Sequence, residues 1–232
     1  MTDRTTETPP ILYARIAGLL YLIIIVFGIF SEVVVRSSLI VTGDAAATAS
    51  NILRSTSLFR VGFAADSIML LSDVAIAVLF YALLRPVSKV LALTAAAFRL
   101  TQAAVLGFNL LNYYAPMLLL RGAGFAPGAG SDRVNSLVLF FLDMHSHGYD
   151  LGLLFFGLSN IILGYLIIRS GYFPRILGYG LIAAAIVYLA GSYMRFLFPE
   201  HASVMAPIYV VPLIAELSMC LWLLVKGVRV QQ

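Results

Sequence analysis

The stretch LFRVGFAADSIMLLSDVAIAVLFYALL, residues 58–84, decides the fold. It lacks the strict polar–apolar alternation of a barrel strand and is longer than the ~20 residues that carry a helix across a hydrocarbon core of roughly 30 Å. Its two acids, Asp66 and Asp73, stand seven positions apart, close to two helical turns. Both carboxylates therefore project from one face, with Asp73 the deeper of the two.

Working outward, five more apolar runs of similar length lie at about 11–34, 90–120, 148–169, 175–198 and 207–226. With 61% hydrophobic and only 11% charged residues in 232 positions, the chain has too little polar surface to coat a soluble globule. The mean hydropathy of +0.97 agrees. The expected fold class is all-α: a polytopic membrane helical bundle of about six transmembrane helices plus one or two short outer-face helices. No internal repeat is evident, so the chain reads as a single transmembrane domain, 1–232, without support for an inverted-repeat transporter.

The opening MTDRTTETPP is polar, and the run after it has no small-residue cleavage pattern, which predicts a retained first span. The lone Cys220 supplies neither a disulfide framework nor a cysteine metal motif, and reads as a packing residue. The net charge is +4, but the basic residues are spread one or two per loop, so nucleic acid is not an expected partner. The charge speaks to topology instead. Arg4, Arg15, Arg85, Lys89, Arg169, Arg175, Lys226 and Arg229 fall on the side of the termini; Arg36, Arg54, Arg60, Arg121, Arg133 and Arg195 fall on the other. The tight, acid-free turns RPVSK and RSGYFPR strengthen this bias, so both termini are expected to be cytoplasmic in a multi-pass inner-membrane protein.

Two segments between spans have helical character. Asp44 is an N-cap candidate for AAATASNILRSTS on the outer side. From Ser131 and Asp132, Val134, Leu137, Val138, Phe141 and Leu142 recur at helical spacing, which predicts a helix on the outer interface that breaks at Gly148. Without that break, 132–169 would form a helix of about 57 Å, too long for one crossing. RGAGFAPGAG reads as an outer loop.

Ionisable residues inside spans cost ~2.5–3.5 kcal/mol to insert and are therefore informative. Asp66, Asp73, Arg99, Asp150 and Glu216 qualify, and Arg99, Gln102, Asn109 and Asn112 form a polar stripe on span three. An antiparallel hairpin across RPVSK puts Arg99 and Asp73 at comparable depth, which predicts a buried pair. Such a pair is either structural or part of a substrate or proton site. Glu216 has no basic residue before it in its own helix and resembles a proton-carrying carboxylate.

The densest polar cluster is DMHSHGYD, 143–150. Asp143, His145 and Asp150, with Glu32, Asp66 and His201 from other span ends, offer carboxylates and imidazoles suited to a divalent metal. Interfacial hydrogen bonding is the alternative, since the spacing matches no strong zinc motif. Tyr149 reads either as an interfacial anchor or as part of the site. There is no Gly-x-Ser-x-Gly elbow, phosphate loop or dinucleotide fingerprint in a suitable context. Gly18, Gly28, Gly157, Gly164 and Ala183–Ala185 read as close helix packing.

Three stretches, RIAGLLYLIIIVFGIFSE, the run from Leu58 to Asn112, and FLDMHSHGYDLGLLFFGLSNIILGYLIIRSGYFPRILG, resemble the bacterial membrane family catalogued as domain of unknown function 4386, from about residue 12 to 198. The resemblance implies a small multi-span membrane protein without an assigned activity. Arg60, Asp66, Asp73, Arg99, Gln102, Asn109, Asp143, His145, Tyr149, Asp150, Arg175 and Arg195 match its pattern. Ser159 stands where relatives carry His, and Ser192 where they carry an acid, so a metal site using those positions would be incomplete here.

The functional expectation is a polar intramembrane site open to the outer face that binds or transports a small molecule, lipid or ion. Its ligand-binding candidates are Asp66, Asp73, Arg99, Gln102, Asn109, Tyr149, Asp150 and Glu216. The alternatives are a membrane-embedded metal-assisted enzyme using Asp143, His145 and Asp150, and a scaffold protein. The lipid bilayer is the expected partner, and the sequence leaves the oligomeric state open.

Overall fold

The computed structural model of the protein describes residues 9–122 and 130–228. Arg4, Arg229 and most of the glycine-rich loop lie outside the described residues. Among the described residues there is no strand. The chain forms α1 (Pro10–Leu39), α2 (Ala45–Arg54), α3 (Thr56–Leu84), α4 (Lys89–Leu120), α5 (Ser131–Ser170), α6 (Arg175–Leu197) and α7 (Val210–Val225). A tightly wound segment, Pro199–Tyr209, leads from α6 into α7. Counting Pro199–Val225 as one, six helices are long and apolar enough to cross a membrane. This is a membrane helical bundle.

Local chemistry sets the helix ends. Pro9 and Pro10 open α1, where a missing N–H costs nothing. The Asp44 carboxylate accepts from Ala47 N at 2.8 Å and caps α2, the short helix expected between spans one and two. The Ser88 hydroxyl accepts from Leu91 N at the start of α4.

Antiparallel succession brings the two ends of the bundle together. Gly227 lies against Ile11 and Ala14, and Gly18 lies against Leu224, so α1 and α7 are antiparallel neighbours. The side holding both ends is the near face, and the opposite side is the far face. Near the former, Ala14, Tyr21, Phe80, Leu84, Leu163 and Met219 form the main core. Between α5 and α6, a Cβ added to Gly164 would stand 2.6 Å from the Gly178 carbonyl oxygen, so the two backbones touch.

One expected break is absent. Gly148 does not end a helix: α5 runs 40 residues without interruption, about 60 Å at 1.5 Å per residue. The excess length packs against the far ends of the neighbouring helices and against α2. Val138 and Leu142 share an apolar cluster with Leu39 of α1, Ile52 of α2, Phe59 of α3 and Leu119 of α4. Gly148 has a different use. Asn109 of α4 presses its carboxamide against the helix there and donates to the His145 carbonyl at 2.7 Å, leaving no room for a Cβ.

Candidate functional site: a far-face cavity above a buried charge layer

The far half of the bundle surrounds a cavity of about 1390 Å³. Its walls are the end of α1, the protruding half of α5, the end of α6 and the Pro199–Tyr209 segment. The last turns of α1, Phe30–Arg36, are widened to i→i+5 bonding, a distortion that changes the direction of the side chains beyond it. Arg36 is thereby turned inward: its Nε donates to Glu32 at 2.7 Å and its Nη1 to Asp66 of α3 at 2.8 Å. Its guanidinium also lies 5.9 Å from the Tyr113 ring centre.

Arg195 occupies the opposite wall. Its Nη1 is 3.0 Å from Asp150, and its Nη2 is 3.8 Å from Asp143. Two guanidiniums thus face one cavity, each braced by two carboxylates from its own or a neighbouring helix. His145 and Tyr149 complete the α5 wall, and Tyr209 lines the side formed by the tight segment. The His145 ring nitrogen Nδ1 lies 3.2 Å from the Asn109 carbonyl, so this imidazole is held against α4.

Below the cavity the bundle becomes apolar. Met69, Leu70, Leu106 and Leu110 form a small cluster with Tyr149 packed against it. On α3 these residues fall between Asp66 and Asp73; on α4 Leu106 falls between Gln102 and Asn109, and Leu110 directly follows Asn109. They form an insulating layer one to two turns thick.

The second charge layer lies beneath it. Asp73 Oδ1 accepts from Arg99 Nε at 2.8 Å and from Nη2 at 2.5 Å. The guanidinium lies 4.9 Å from the Phe156 ring centre and 5.8 Å from that of Tyr21. Arg99 is 2% exposed, so the pair is isolated from solvent. Tyr188 of α6 donates to Glu216 of α7 at 2.7 Å, and Glu216 is within charge–charge range of Arg99 and Asp73. The Tyr188 ring lies 6.1 Å from that of Tyr209, which lines the cavity.

The family model described as Domain of unknown function (DUF4386) matches residues 16–227, nearly the whole chain. The chain belongs to this family. An uncharacterized protein of Archaeoglobus fulgidus is 27% identical over 165 residues, which cover 71% of this chain and 83% of that one. No solved structure matches.

In this family member the expected site residues divide between the two layers. Asp150, Tyr149 and His145 line the cavity, while Asp66 stands behind Arg36 and Asn109 behind His145. Asp73, Arg99, Gln102 and Glu216 belong to the sealed lower layer and do not line the cavity. The single continuous site expected from the polar stripe is therefore corrected to two.

The three metal candidates, Asp143, His145 and Asp150, all line the cavity but point from two faces of α5. On an unbroken α5, Asp143 and Asp150 share the face toward α6, while His145, two residues past Asp143 and about 200° around the helix, faces α4. Among the described residues no three His, Cys, Asp or Glu side chains come together as a metal site. His147 stays beside Asp143 at 3.4 Å, and His201 beside Glu200 at 3.3 Å. The donors present do not fit a divalent ion. Ser159 donates to the Ala95 carbonyl, and the buried Ser192 hydroxyl has no hydrogen-bond partner.

Arg36 was expected as a loop charge and is instead the partner of Asp66. Its signal in the sequence is the Glu32-x-x-x-Arg36 spacing at the end of span one, next to an unpaired acid on span two.

Proposed function

We propose that this protein binds a charged small molecule or lipid headgroup in the far-face cavity. The observation that carries the reading is the pair of opposed guanidiniums, Arg36 and Arg195, each fixed by two carboxylates at the wall of a cavity of about 1390 Å³. A space larger than the ~300–1,000 Å³ of ordinary ligand sites, with a few anchored polar groups among apolar ones, suits binding better than it suits packing. Asp73 and Arg99 then serve to satisfy two charges inside the bundle. In a cytoplasmic membrane with cytoplasmic termini, the cavity opens outward.

A transport role is the second reading, favoured by one contact. Tyr188 joins Glu216 to the aromatic wall of the cavity at Tyr209, so a proton on Glu216 has a polar neighbour in the direction of the site. Nothing in the arrangement favours the metal-assisted enzyme, since its three residues diverge.

Native mass spectrometry of the protein released from membranes tests the binding reading. Wild type is expected to retain a small-molecule or lipid adduct, and Ser146→Cys, in a Cys220→Ala background and labelled with a bulky maleimide that occupies the cavity, to lose it while remaining folded. Equal adducts on both proteins, or none on either, would overturn the proposal.

A further inference from the structure

The charge balance of the cavity identifies the chemical class of its occupant. Glu32, Asp143 and Asp150 line it together with Arg36 and Arg195, and Asp66 is bonded to Arg36 from behind. Three carboxylates and two guanidiniums line the space and a fourth carboxylate stands behind Arg36, a formal surplus of two negative charges with the histidines neutral. Both guanidiniums already have carboxylates beside them, so an anionic ligand would compete with those acids for each arginine. A cation meets the surplus directly.

The shape excludes a simple metal ion as the occupant. The volume is far larger than one ion needs, and among the described residues no three metal-donor side chains converge. Beside a few hydroxyl groups and His145, the lining carries Phe140, Tyr149 and Tyr209, whose ring faces attract organic cations, and Leu139, Leu153 and Met205, which present apolar surface. Phe140 is itself 55% exposed at the rim, giving the entrance an apolar lip.

We infer that the cavity is a site for a hydrophobic organic cation, an ammonium group or its equivalent carrying apolar substituents, either as a free molecule or as a lipid headgroup. This inference rests on the binding reading above and assigns its ligand class. The carboxylate surplus holds the charge, and the aromatic wall holds the body.

Equilibrium binding of two probes of matched shape and opposite charge, tetraphenylphosphonium and tetraphenylborate, tests it in lipid nanodiscs. Binding is counted only where it saturates and is displaced by excess unlabelled probe, which removes non-specific partitioning. The phosphonium is expected to saturate wild type and the borate not to. Asp143→Asn/Asp150→Asn should weaken phosphonium binding by about tenfold or more, the effect of one lost charge contact. Glu32→Gln, at a largely exposed position, should weaken it less and provides a readout if the double variant does not fold.

Saturable borate binding without phosphonium binding would overturn the cation assignment and leave the binding reading standing. Saturation by neither probe would overturn the assignment, and the adduct experiment then decides the binding reading separately. At one fixed disc composition, displacement of the phosphonium by added short-chain phosphatidylcholine and not by short-chain phosphatidylglycerol would identify the ammonium headgroup as the natural source. Displacement by neither lipid would identify a free cation.

Discussion

Replacing Asp73 with Asn would leave the Arg99 guanidinium buried, stacked between Tyr21 and Phe156, with no carboxylate on the 2.8 Å and 2.5 Å contacts it now makes. Removing one partner from a buried ion pair costs ~3–5 kcal/mol, most of it the penalty for the orphaned charge. For a chain of this size each kcal/mol moves Tm by ~2–4 °C, so Asp73→Asn should melt roughly 6–20 °C below wild type. Arg99→Met should fall by a similar amount. The double variant Asp73→Leu/Arg99→Met replaces both charges with apolar side chains and should recover to within ~1 kcal/mol of wild type, because such swaps are often neutral. Thermal unfolding of the four proteins in one detergent closes the double-mutant cycle. Additive losses in the double variant, or a single variant as stable as wild type, would refute the assignment of this pair to structure and move it into the functional site.

Tyr188→Phe removes the hydrogen bond to Glu216 and should cost ~1–3 kcal/mol in the same assay, whereas Glu216→Gln should leave cavity binding unchanged. Gly164→Val drives a side chain into the Gly178 carbonyl and should cost ~1–3 kcal/mol or prevent folding, while Gly107→Ala, with open space around it, should be neutral or gain up to ~1 kcal/mol. In a Cys220→Ala background, Ser146→Cys on the cavity wall should react quickly with a charged thiol reagent in nanodiscs, and Ser159→Cys beside Arg99 should not. Equal reactivity would remove the insulating layer from the account.

The spans were legible because hydrophobic length is a physical requirement of the bilayer, and the α2 helix because Asp44 is an effective cap. The pairing of Asp73 with Arg99 was legible too: the RPVSK turn is short, so α3 and α4 must run side by side with their depths in register. Arg36 escaped because span one was read to stop at residue 34, whereas α1 continues to Leu39 through turns whose widening has no periodic signature. α5 escaped for a related reason. Gly148 has the propensity of a break, and only the neighbouring Asn109, 39 positions earlier in sequence, shows that the glycine is needed for contact. The division into two layers depends on which faces of four helices meet, and Arg195 reaches Asp143 and Asp150 only once α6 is placed beside α5.

A cryo-electron microscopy map of the protein in native-lipid nanodiscs tests the central claim most directly. The expected result is an open far-face cavity with density from neither protein nor ordered water, lying between Arg36 and Arg195 and in contact with Tyr149. A far face closed by side chains, with either arginine turned out of the cavity and away from its carboxylates, would contradict it.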